Sequence, residues 1–233
     1  MFRHFLFLTI FFSGIILISI IFLPALILPN VIVLMGGKIM GHWTALCLKA
    51  FMSVKIEILG EENIIKDHKF FIAASHQSMF ETFYLQTIFN SPIFILKKEL
   101  MWIPIFGWYL KKIGSVAIKR NKISKDNLGF FDEIHKIIEK SKRPLIIFPQ
   151  GTRVEPNNRS PFKKGVGKIY EELKISCQPV AINSGNVWPK KGIIQSNKKI
   201  TISILPLINY GLEKNEFLSK LENTIYSELD KHS

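Results

Sequence analysis

The residues best suited to chemistry lie in the run Ser75-His76-Gln77-Ser78-Met79-Phe80-Glu81. A histidine can take a proton from a hydroxyl near neutral pH. A carboxylate on its far N–H fixes the tautomer and stabilises the imidazolium that results. Along one helix only residues three or four apart share a face. His76 and Glu81 therefore meet only if His76 precedes a helix that contains Glu81. Spacing alone carries little weight, because six His and 18 acids in 233 residues give such a match about half the time.

A second group is Phe148-Pro149-Gln150-Gly151-Thr152-Arg153, followed by Pro161-Phe162-Lys163-Lys164-Gly165. Turn residues leave backbone N–H groups free, and a hydroxyl and a guanidinium beside them suit a phosphate, which Arg grips with two parallel hydrogen bonds. A third runs from Lys97-Lys98-Glu99 through Trp102, Pro104, Phe106 and Trp108 to Gly114-Ser115-Val116-Ala117-Ile118-Lys119-Arg120. Aromatic rings interleaved with lysines are what a segment seated at a lipid headgroup layer looks like.

Strands must carry these groups. Phe70–Ala74 is a continuous apolar run of the kind found in buried strands, and Val54–Ile58 alternates with period two. Further strands are expected at Pro92–Leu96, Ser115–Ile118, Leu145–Phe148, Pro179–Ile182 and Ile200–Leu205. His76 and the Gln150 loop thus follow strand ends, where α/β sheets gather their active sites. Between the strands, Ser124 is placed to cap a helix carrying Leu128, Phe131, Ile134 and Ile138, with Pro144 as its stop, and residues 213–231 read as an amphipathic helix. The fold class is α/β, a mixed, mostly parallel sheet flanked by helices.

No charged residue occurs from Phe5 to Gly37. That run exceeds the roughly 20 residues needed to cross a bilayer, and is too long for the core of a cleavable signal. Pro24, Pro29 and Asn30 interrupt it, so the alternatives are a kinked spanning helix and a re-entrant helical hairpin. A hairpin would leave the basic flanks, Arg3 on one side and Lys38, Lys49 and Lys55 on the other, on the cytoplasmic side. The chain divides into a membrane anchor at residues 1–50 and a catalytic domain at 51–233. Lys and Arg outnumber Asp and Glu by 31 to 18, a net charge of +13, so polyanionic surfaces attract the molecule. With 19 Phe and a mean hydropathy of +0.21, the expected partner is anionic membrane lipid and not nucleic acid. Two cysteines are too few for a disulfide framework or a cysteine metal site.

In order along the chain, His76…Glu81, Gly114…Arg120, Phe148–Arg153 and Gln178-Pro179-Val180-Ala181-Ile182 resemble the four sequence blocks of the 1-acyl-sn-glycerol-3-phosphate acyltransferases and related glycerolipid acyltransferases. The resemblance covers roughly residues 55–207. It implies the glycerolipid acyltransferase fold, and transfer of a fatty acyl group from acyl-CoA or acyl carrier protein to the sn-2 hydroxyl of 1-acyl-sn-glycerol 3-phosphate. The product is phosphatidic acid, for phospholipid biosynthesis. His76 and Glu81 would be catalytic, and Arg120, Gln150, Gly151, Thr152 and Arg153 would bind substrate. No metal or redox cofactor is implied. The catalytic domain would face the cytoplasm on a membrane. Glu81 stands where the family usually has Asp, and Gln150 where it usually has Glu. An amide is not a base, so Gln150 must position something. Two alternatives stay open: another lysolipid or glycerol 3-phosphate as acceptor, and an inactive membrane scaffold of the same fold.

Overall fold

The structure is a computed structural model that describes residues 1–65, 69–118, 129–141 and 143–232. Its strands are β1 (Lys55–Leu59), β2 (Phe70–Ala74), β3 (Ile93–Lys97), β4 (Val116–Ile118), β5 (Leu145–Ile147), β6 (Ser176–Ile182) and β7 (Lys199–Ile204). They form a seven-stranded sheet in the order β1-β7-β6-β2-β5-β3-β4. Every pairing is parallel except β6 with β7. The expected mixed, mostly parallel sheet is therefore present, and each expected strand position holds one.

All five residues of β2 are buried, because β2 lies between β5 and β6 with helices on both faces. Alternation along the strand sends Phe70, Ile72 and Ala74 into one core layer and Phe71 and Ala73 into the other. The second layer is closed by α5 (Phe130–Lys140), α6 (Lys164–Leu173) and α7 (Lys214–Asp230), through Ile134, Ile169, Phe217 and Leu221. Glu213 caps α7 by accepting from the amides of Asn215 and Glu216. Ser124 and Leu128 lie outside the described residues, and α5 is described from Phe130. Nothing in the sequence reading marked α6, although Val166, Ile169, Tyr170 and Leu173 are its buried face.

The first layer is closed by α1 (Phe2–Ile21), α2 (Asn30–Met52) and α3 (Phe80–Ile88). Pro24 opens a short 3-10 turn and Pro29 caps α2, so the prolines make a reversal and not a kink. Of the two arrangements the sequence left open, the hairpin is the one formed. Its ends are fastened together. Arg3 donates to Phe51 O and Ser53 Oγ, and Trp43 Nε1 donates to Phe11 O. Phe7, Phe11, Cys47, Leu48 and Met52 belong to the same core as β2, so the core is continuous across residue 50. The opposite side of α1 leaves Phe2, Phe5, Ile16, Leu17 and Ile21 exposed.

A seventh helix, α4 (Phe106–Lys112), packs beside the hairpin, with Tyr109 Oη donating to Ser19 O. Arg143 ties its end to the start of β3 by donating to Ser91 O, Pro92 O and Ile113 O. Burial pulls this guanidinium down to about 10, which leaves it charged at neutral pH. Trp102 is 75% and Trp108 51% exposed, so the aromatic segment is surface and not core.

Candidate active site

His76 sits two residues beyond β2, and the backbone there is held on both sides. Its N–H donates to Gln150 Oε1 at 3.2 Å, and its carbonyl accepts from Val154 N at 2.9 Å. The chain then turns into α3, whose first turn holds Glu81. The condition set by the five-residue spacing is met: His76 precedes the helix and Glu81 reaches back. Glu81 is fully buried. Its Oε1 accepts from Gln77 N, Ser78 N and the Ser184 hydroxyl, and its Oε2 accepts from Ser78 N. Only an acceptor can satisfy so many donors.

The remaining side of Oε2 faces His76 Nδ1 at 3.7 Å. That nitrogen is buried and has no hydrogen bond at this distance. The imidazole stacks on Phe148, centroids 4.0 Å apart and planes 17° from parallel. With Nδ1 turned to Glu81, Nε2 is the nitrogen left for a cavity of about 600 Å³ that His76 helps to line.

Gly151, Thr152 and Arg153 line the same cavity. Gly151 has φ +73°, and its amide donates to Phe148 O at 2.9 Å. Only the left-handed region gives this tight turn, which glycine enters without strain. Gln150, expected among the substrate-binding residues, is instead buried behind them and does not line the cavity. Its side chain meets the backbone N–H of His76 and the Tyr226 hydroxyl. Arg120 lies outside the described residues.

Replacing the amide with a carboxylate keeps the oxygen that accepts from His76 N and alters the contact between this side chain and the Tyr226 hydroxyl. Gln150→Glu is expected to change turnover by less than about tenfold, the worth of one altered hydrogen bond. A steady-state assay showing a nearly dead parent, rescued by this change, would show that the position must be anionic.

Lys97, at the end of β3 and read from the sequence as part of the headgroup segment, lines the cavity instead. Lys190, after β6, which the sequence did not mark, lines it too, its Nζ donating to Arg153 O at 3.2 Å. Trp188 is pinned edge-on by Phe7 and Phe11 of α1, which holds the chain leading to Lys190. Most of the rest of the wall is apolar, including Ile15, Phe22, Val33 and Met40 from the hairpin and Phe106 and Ile113 at the ends of α4, with Ser19, Thr82 and Gln86 among the polar exceptions. One cavity thus brings a histidine and cations together with largely hydrocarbon walls.

Residues 55–183, running from β1 past the end of β6 and including His76, Glu81 and residues 148–153, match the family profile described as Acyltransferase. The chain belongs to the acyltransferase family. Among its relatives is a 1-acyl-sn-glycerol-3-phosphate acyltransferase of Helicobacter pylori, 31% identical over 166 residues, which cover 69% of this chain and 68% of that one. The Saccharomyces cerevisiae protein of the same description is 28% identical over 209 residues, 84% of this chain and 68% of its own. The Pseudomonas aeruginosa one is 30% identical over 156 residues, 67% and 60%. The crystal structure of the 1-acyl-sn-glycerophosphate acyltransferase PlsC from Thermotoga maritima superposes with a TM-score of 0.78 at 21% identity, covering 99% of this chain and 96% of that one. This likeness extends the shared fold through the N-terminal hairpin. Ser184 and Lys190 lie just past the family match.

Proposed function

We propose that this acyltransferase moves a fatty acyl group from a coenzyme A or carrier-protein thioester to the sn-2 hydroxyl of 1-acyl-sn-glycerol 3-phosphate, giving phosphatidic acid. The observation that carries the reading is the single cavity joining the His76–Glu81 pair and the cations Lys97, Arg153 and Lys190 to apolar walls. An anionic amphiphile with one reactive hydroxyl matches both kinds of lining. His76 Nε2 takes the hydroxyl proton as that oxygen attacks the thioester carbonyl. The new C–O bond forms, the C–S bond breaks, and the proton passes from His76 to the departing thiolate. As imidazolium develops, its Nδ1–H draws toward Glu81 Oε2. Catalytic hydrogen bonds are often long in empty sites and tighten with substrate. Arg153, Thr152 and the Gly151 turn hold the phosphate end, so that the hydroxyl stays in attack geometry.

The acceptor is itself a membrane lipid, which explains the exposed apolar face of α1 and the exposed Trp102 and Trp108. These would sit in the bilayer, with lysines at headgroup depth. The hairpin returns the chain to the side it left, and the positive-inside tendency of its basic flanks supports a catalytic domain on the cytoplasmic face.

The deciding assay gives purified protein labelled acyl-CoA and, separately, 1-acylglycerol 3-phosphate, lysophosphatidylcholine and glycerol 3-phosphate. Phosphatidic acid from the first is the expected product. Product only with another acceptor would replace the assignment, and none with any would favour a scaffold. Gln150 gives the scaffold reading little support, since it contacts backbone and leaves the cavity unchanged. In the same assay, Arg153→Ala is expected to raise the KM for the phosphate-bearing acceptor by roughly tenfold to a hundredfold, the effect of losing one charge-assisted contact. The donor KM should stay near its parent value. Equal losses for both substrates would move Arg153 away from the phosphate.

A further inference from the structure

The turn after β6 lies beyond the matched family region, yet the end of β6 and this turn are stitched to the histidine loop through three residues, Ile182, Ser184 and Gly185. Ser75 Oγ accepts from Ile182 N at 2.8 Å and donates to Ile182 O at 3.2 Å. Gln77 Oε1 accepts from Gly185 N at 3.0 Å. Ser184 Oγ donates to Glu81 Oε1. Ser184 and Glu81 are both fully buried, and the Ser184 hydroxyl is the one side-chain hydrogen-bond donor recorded on this carboxylate among the described residues.

A glutamate's terminal torsion is broad and roughly two-fold. Of its backbone donors, Ser78 N lies 3.1 Å from each oxygen, whereas Gln77 N lies 3.1 Å from Oε1 alone. Ser184 joins Gln77 N on Oε1, and the two together hold that oxygen and leave Oε2 to face His76 Nδ1. The turn needs nothing from this hydroxyl, because it is closed by Val187 N and Trp188 N donating to the Ser184 carbonyl.

We propose that Ser184 is a positioning residue of the transfer reaction. Its hydroxyl fixes the Glu81 carboxylate so that Oε2 receives Nδ1–H of His76 as the imidazolium forms, extending the pair to Ser184–Glu81–His76. The inference rests on the general-base reading of His76.

The test is a double-mutant cycle on the full-length protein, with kcat, both KM values and thermal unfolding measured for Ser184→Ala, Glu81→Gln, the double variant, Ser184→Cys and His76→Ala. Ser184→Ala is expected to lower kcat about tenfold, the worth of one hydrogen bond to a charged group. Both KM values should stay within about twofold. In the Glu81→Gln background the same change should cost less than about twofold, because residues acting through one another are not additive. Ser184→Cys, close in volume and a weak donor, should fall between parent and Ser184→Ala, and it replaces the alanine variant in the cycle if that variant does not fold. An unchanged kcat in Ser184→Ala, or an equal loss in both backgrounds, would overturn the proposal. If His76→Ala stays active, the general-base reading fails. If His76→Ala is dead and Ser184→Ala is unaffected, only the role of Ser184 fails.

Discussion

His76→Ala is expected to lower the rate of acyl transfer by about a thousandfold, within the range attributed to a positioned general base, and to leave the fold close to its parent stability. The two halves of that expectation come from different atoms. The backbone N–H and C=O of His76 are held by Gln150 and Val154, and alanine keeps both. The ring makes no side-chain hydrogen bond and stacks on Phe148 at the cavity wall, so its removal enlarges a space that is already open. Single-turnover transfer and a thermal melt on the same preparation check the two halves separately. Turnover within tenfold of the parent would remove His76 from the chemistry. A collapse of the melt would mean that the ring also supports the fold.

The second large effect is expected far from the reacting atoms, at Gly41 in α2. A Cβ at this position would lie 2.7 Å from the backbone oxygen of Phe83 and 2.6 Å from Thr87 Cγ2 in α3. A methyl group on Thr87 can turn away, but a helix carbonyl cannot. Gly41→Leu must therefore push α2 and α3 apart, and overpacking of this kind costs about 1–3 kcal/mol. Because α3 carries Glu81 in its first turn, the displacement should also reach the His76–Glu81 geometry, so kcat is expected to fall by at least about tenfold, as small misplacements of catalytic groups do. Chemical denaturation and steady-state kinetics read the two effects, with Gly41→Ala as a milder step on the same path. A Gly41→Leu protein with parent stability and turnover would show that the hairpin does not brace the catalytic helix. In that case α1 and α2 would serve attachment alone.

The parts legible in the sequence are those whose signal is local. Phe70–Ala74 reads as a buried strand because every one of its side chains must enter one core layer or the other, which demands an unbroken apolar run. The distance from His76 to Glu81 was enough to require a helix starting between them, since helix geometry permits no other way for the two to meet. Pro24 and Pro29 marked the break in the N-terminal run but left its shape open, because proline interrupts a helix without saying which way the chain leaves. Only the packing of Trp43 on α1 and the grip of Arg3 on Phe51 and Ser53 chose the hairpin.

What tertiary structure alone decided are meetings across long stretches of chain. Gln150 looked like a substrate contact because it shares a loop with Thr152 and Arg153, yet the turn at Gly151 sends those two to the cavity and leaves Gln150 under His76. Ser184 lies 103 residues from Glu81 and Lys190 37 residues from Arg153, and no periodicity joins them. They meet because β2 is placed between β5 and β6, which brings three loops to one end of the sheet. The apolar wall is assembled in the same way, from α1, α2 and the ends of α4. Hydrophobic period and turn chemistry determine each element by itself. The order of strands in a sheet is set by the packing of all of them at once, and that order puts His76, backed by Glu81, and the cations at one cavity.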